Sequence, residues 1–68
     1  MFTEHRTIQL RPRVLRPRQA AELLGIGRTT LWRYARLPGF PCRIRLGDNA
    51  VGWLESDLLA WLESRKEG

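Results

Sequence analysis

The residues of this 68-residue chain best placed to do chemistry are arginines and threonines at helical spacing. From Arg28 to Arg36 the sequence reads RTTLWRYAR, with no acidic residue. At about 100° per residue, Leu31, Tyr34 and Ala35 fall on one side of a helix. Thr29, Arg33 and Arg36 fall on the other, with Thr30 and Trp32 on the flanks and Arg28 near the start. An arginine guanidinium can donate two hydrogen bonds to the O6 and N7 of guanine, and threonine can touch a thymine methyl or a phosphate. The chemistry expected of this face is therefore recognition of duplex DNA. A basic face that merely meets solvent is the plainer alternative.

Residues suited to breaking bonds are scarce. His5 has no acid or nucleophile at a readable spacing, and one cysteine with one histidine cannot build a Cys/His zinc site. Gly25-Ile26-Gly27-Arg28-Thr29-Thr30 lacks the third glycine and the Lys-Ser/Thr pair of a nucleotide-binding loop. No carboxylate pair marks a pocket. No enzyme activity, cofactor or metal is expected.

The helix bearing those arginines needs a partner to hold it. Ala20, Ala21, Leu23 and Leu24 give a preceding helix an apolar stripe. Pro17 suits its first position, and Gly25 suits a left-handed turn after its end. Ile26 fills the corner and Gly27 serves as N-cap of the second helix. Small Ala21, turning Gly25 and apolar Leu31 stand where a helix-turn-helix requires them. Arg16 and Arg18 flank the first helix.

Leu37-Pro38-Gly39-Phe40-Pro41 excludes helix and reads as a loop. Cys42 to Leu46 then alternates, which places Cys42, Ile44 and Leu46 on an inward face and Arg43 and Arg45 on an outward one. Cys42 is accordingly expected to be a small core residue. Gly47 to Ala50 supplies turn residues and Val51 to Leu54 a return strand, so the segment is expected to be a hairpin wing. Glu55 and Asp57 favour the start of a last helix through its dipole, and Leu58, Trp61 and Leu62 form its stripe. Trp53 and Trp61 are expected in the core, and Leu59 is a candidate self-association contact.

Charge is distributed unevenly. Residues 1–54 carry ten arginines and three acids, whereas residues 55–68 carry two bases and four acids. The helix-turn-helix side therefore carries +7 and the last segment −2, for a net +5, and nucleic acid is the natural partner of the basic side. The chain is long enough for one small domain, and an apolar content of 43% can supply its core. No run approaches transmembrane length, and the opening MFTEHRTIQL is not of signal-peptide type. A cytoplasmic location and no membrane partner are expected.

In the order ELLGIGRTTLWR, GFP, a basic strand ending RLG, VGW and ESDLLAWL, the chain resembles the AlpA-type phage regulators. These are similar to excisionases and to the MerR-like winged helix-turn-helix group. The resemblance spans roughly Leu15 to Leu62. It implies a three-helix domain with a two-stranded wing that binds phage or genomic-island DNA. It also implies either transcription activation or control of recombination direction. Two positions depart from the pattern. Gly27 stands where such proteins usually have serine, and the wing turn is Asp48-Asn49-Ala50 where relatives are often basic. Wing contact with phosphate is then expected from Arg43 and Arg45.

The resulting expectation is a mainly α domain with a small β-hairpin, a MerR-like winged helix-turn-helix over residues 14–66 preceded by a flexible basic arm over residues 1–13. Arg28, Thr29, Thr30, Trp32, Arg33 and Arg36 of the recognition helix are expected to meet DNA. Arg13, Arg16 and Arg18, with Arg43 and Arg45 of the wing, are expected to hold phosphates. The expected function is a sequence-specific activator of a prophage or genomic-island operon, with RNA polymerase as a candidate partner and self-association on repeated sites. The alternatives are an excisionase-type factor that bends DNA beside an integrase, and a module that sequesters an acidic protein.

Overall fold

The computed structural model describes residues 13–67. Its elements run β1 (Val14–Leu15), α1 (Pro17–Leu24), α2 (Arg28–Tyr34), β2 (Ile44–Gly47), β3 (Ala50–Leu54) and α3 (Glu55–Ser64). This is the three-helix winged architecture, with a third strand added to the wing. The sheet is antiparallel in the order β1-β3-β2.

Local chemistry sets the helix ends. Gln19 Oε1 accepts the Arg16 backbone N–H at 2.9 Å, and Pro17 occupies the first turn of α1, where a missing N–H costs nothing. Gly25 takes φ 71°, a left-handed conformation that glycine adopts without a Cβ penalty. Its N–H donates to the Glu22 carbonyl at 3.1 Å, and the Ile26 N–H donates to the Ala21 carbonyl at 3.0 Å. These two bonds satisfy the last carbonyls of α1 and turn the chain into α2. Gly27 is the extended N-cap of α2 and contributes no side-chain bond. At the far end of the chain, Glu55 and Asp57 lie in the first turn of α3. The Glu55 N–H donates to the Arg13 carbonyl at 2.7 Å, which ties the start of α3 to the residue before β1.

The core consists of Leu15, Ala20, Ala21, Leu31, Phe40, Trp53 and Leu58. Burial of Ala20 and Ala21 shows that small residues let α1 approach its neighbours closely. Leu31 is fully buried and locks α2 onto that layer, as the helix-turn-helix pattern requires. Trp53 is fully buried, as expected. Trp61 is half-buried and packs edge-on against Phe40, with ring centroids 4.8 Å apart.

The sheet corrects the expected facing of the wing. Leu15 pairs with Trp53, and both side chains point into the core. Side chains alternate along a strand, so Gly52 and its partner Ile44 belong to the opposite face. A Cβ at Gly52 would stand 2.7 Å from Val14 Cγ1 and 3.3 Å from Leu46 Cδ1, so these aliphatic side chains share that outer face. Leu46 is 46% exposed. A register shift between Arg45 and Gly47 separates β2 from strict alternation. Cys42 is exposed and precedes β2, which corrects its expected place in the core. The apolar alternation of the wing is real, but it faces away from the helices.

Candidate nucleic-acid interface

That reversal puts the wing arginines beside the helix-turn-helix. Arg45 pairs with Val51, on the Trp53 side of the sheet. Arg16, Arg28, Arg43 and Arg45 consequently line one groove between the helices and the wing, with Trp32, Asp48 and Asn49. Its volume is about 580 Å³. Two of the four arginines are visibly held. The Arg16 Nε–H donates to the Val51 carbonyl at 3.0 Å, so a residue at the head of α1 is fastened to the central strand. The Arg43 guanidinium lies 5.9 Å from the Trp32 ring centroid, within range of a cation–π contact. Among the described residues none of the four has a carboxylate within ion-pair distance.

A second, shallower groove follows α2. Thr29, Trp32, Arg33 and Arg36 line it. Thr29 and Arg33 share the exposed face of α2, as the helical spacing requires. The helix ends at Tyr34, short of the expected Arg36, which joins that face from the turn that follows. Arg28 is exposed at the start of the helix and belongs to the first groove instead. Thr30 is half-buried and lines neither. Trp32 borders both grooves, and its ring also packs on Trp53 with centroids 5.6 Å apart. Part of its surface is therefore committed to holding α2 against the sheet.

The remaining candidates lie apart. Arg18 is exposed on α1 and lines neither groove. Arg13 turns to the start of α3, where its guanidinium stands 3.5 Å from Glu55 Oε2. The rest of the expected basic arm, residues 1–12, falls outside the described residues. Sequence reasoning missed the Val51 carbonyl as an anchor, because a bond across 35 positions has no local signature. It read Asp48 and Asn49 as a weakness of the wing tip, whereas both face the arginine groove.

Among the described residues no His, Cys, Asp or Glu cluster is arranged to hold a metal, and no helix is long and apolar enough to cross a membrane.

Residues 13–66 match the family model described as "Prophage CP4-57 regulatory protein (AlpA)". The chain is also similar to an uncharacterized protein, ORF88, of Enterobacteria phage P4, with 36% identity over 56 residues. That match covers 82% of this chain and 64% of the phage protein, so the chain spans somewhat under two thirds of its relative's length. No solved structure gives a significant match.

Proposed function

We propose that this chain, which belongs to the AlpA family of prophage regulatory proteins, is a sequence-specific DNA-binding regulator of a prophage or genomic-island operon. The carrying observation is the juxtaposition of two grooves at Trp32. The first holds four arginines with no carboxylate partner among the described residues, and the second presents Thr29 and Arg33 of α2 beside Arg36 of the turn that follows it. In this reading α2 enters the major groove and its outer face reads base edges. Arg16, Arg28, Arg43 and Arg45 grip the sugar-phosphate backbone, which fixes register without carrying sequence information. Arg13 and Arg18 are secondary phosphate contacts at the edge of that surface.

A domain this small covers a short site, so specificity is reached by several copies on repeated sequences. Transcription activation through RNA polymerase is the favoured output. An excisionase-type role beside an integrase uses the same DNA-binding surface and differs in bending the duplex. Sequestration of an acidic protein would use the arginines but not the threonine-bearing face of α2.

The test is selection of a binding site from a random duplex pool, followed by affinity measurements on the selected and scrambled duplexes over a range of salt. The proposed function requires tighter binding to the selected duplex and a steep fall with salt. Circular-permutation gel shifts separate the two DNA roles, since strong bending favours the recombination factor. Failure to bind any duplex, with retention of an acidic protein ligand, replaces both with the sequestering module.

A further inference from the structure

We infer that Arg16, Arg28, Arg43 and Arg45 form one preassembled seat for a single backbone phosphodiester, with Asp48 as a fixed negative charge at its rim that restrains its affinity. The inference rests on the DNA-binding reading and assigns a separate task to one part of that surface.

Three observations carry it. The first is charge. Four arginines line one groove, Asp48 is the one acidic residue among the described residues that line it, and none of the four makes an ion pair among the described residues. Like charges gathered in this way repel, and a bound anion relieves the repulsion. The second is preorganisation. Arg16 uses its Nε–H on the Val51 carbonyl at 3.0 Å, which holds the guanidinium plane and leaves its terminal N–H groups for a ligand. Arg43 is held over Trp32. Side chains already ordered lose less entropy when the ligand arrives. The third is the ligand's shape. A groove of about 580 Å³ open to solvent accepts a phosphodiester with its flanking sugars, and arginine forks match phosphate oxygens.

Asp48 then has a definite effect. Asp48 stands at the tip of the hairpin and lines the same groove. It repels any phosphate in the seat, whatever the base sequence, so it lowers affinity for all duplexes alike and leaves discrimination to α2.

The experiment uses the full chain and a duplex selected from a random pool. Each phosphate is replaced singly by a neutral methylphosphonate, and affinity is read by fluorescence anisotropy. For the wild type, one position per bound copy should lose about tenfold or more in affinity, the scale of a charge-assisted hydrogen bond. Arg16→Gln should bind the unmodified duplex less tightly and show a smaller loss at that position than the wild type, because three of the four guanidiniums remain. Arg16→Lys keeps the charge but loses the Nε–H bond to Val51 and the planar fork, so it should fall between the wild type and Arg16→Gln. Asp48→Asn should tighten binding to selected and scrambled duplexes equally. Thermal melts of each variant identify any loss caused by unfolding, and Arg45→Gln, which leaves the Arg16–Val51 bond in place, serves in place of an Arg16 variant that does not fold.

The same positional loss in wild type, Arg16→Gln and Arg45→Gln refutes the seat and leaves the DNA-binding function standing. Tightening by Asp48→Asn on the selected duplex alone makes Asp48 a base reader and refutes its restraining role. A wild type that binds no duplex overturns both the function and the seat. Inorganic pyrophosphate titrated into the free protein separates the two sources of phosphate. Micromolar binding reported by the Arg16 Nε–H resonance would assign the groove to a free anion, and its absence supports the phosphodiester.

Discussion

Trp32 and Trp53 lie ring against ring, with centroids 5.6 Å apart and planes tilted by 56°. The contact joins α2 to a fully buried residue near the end of β3. A tilted aromatic pair contributes about 0.5–1.5 kcal/mol beyond the area it buries. Because Arg43 also lies over Trp32, one indole couples the recognition helix, the core and the wing.

Trp53→Ala should destabilise the domain by about 3–5 kcal/mol through the cavity it leaves. A total stability of about 5–15 kcal/mol for native domains makes that a large share. Trp53→Phe should cost less, because it keeps an aromatic ring and removes an Nε1–H that is buried without an acceptor among the described residues. Thermal unfolding of both variants checks the order. A Trp53→Ala domain that melts with the wild type would place Trp53 outside the core.

Gly52→Ala should destabilise by about 1–3 kcal/mol, the usual cost of overpacking. A Cβ there would meet Val14 Cγ1 at 2.7 Å and the Leu15 backbone oxygen at 2.8 Å. The valine can rotate, but the carbonyl is held by its strand. Urea unfolding reads the loss, and an alanine variant of unchanged midpoint would contradict the close approach of β1 to β3.

Cys42→Ser should change stability by less than about 0.5 kcal/mol, since the residue is exposed and outside any strand. Its thiol should react with Ellman's reagent in the native protein without waiting for unfolding. DNA affinity of the serine variant should equal that of the wild type. A protected thiol, reacting only at the rate of global unfolding, would restore the core assignment.

Much of this fold was legible because its determinants are local. Gly25, Pro17 and the acids of α3 act within a turn of where they stand, and Leu31 declares its face by period. The outer face of α2 followed from the same period, and Thr29, Arg33 and Arg36 do share a groove. The wing was read with the wrong face inward. Alternation along β2 gives two faces but not which one meets the core, and Trp53 on β3 decides that through its pairing with Leu15. Pro41 and the residues after it delay β2 to Ile44, which leaves Cys42 outside the ladder. The groove itself was hidden, because it joins the start of α1, the start of α2 and the hairpin across more than thirty positions.

The central claim is that α2 reads bases while the wing grips backbone, and a salt titration of Arg33→Ala and Arg45→Ala on selected and scrambled duplexes tests it most directly. A bidentate arginine–base contact is worth about 1–3 kcal/mol of discrimination. Arg33→Ala should therefore weaken binding to the selected duplex by roughly that amount and leave scrambled DNA almost unaffected. Arg45→Ala should weaken both duplexes alike and flatten the salt slope by about one unit, as loss of one phosphate contact does. Equal weakening of both duplexes by Arg33→Ala, with relaxed specificity in Arg45→Ala, would reverse the assignment of helix and wing.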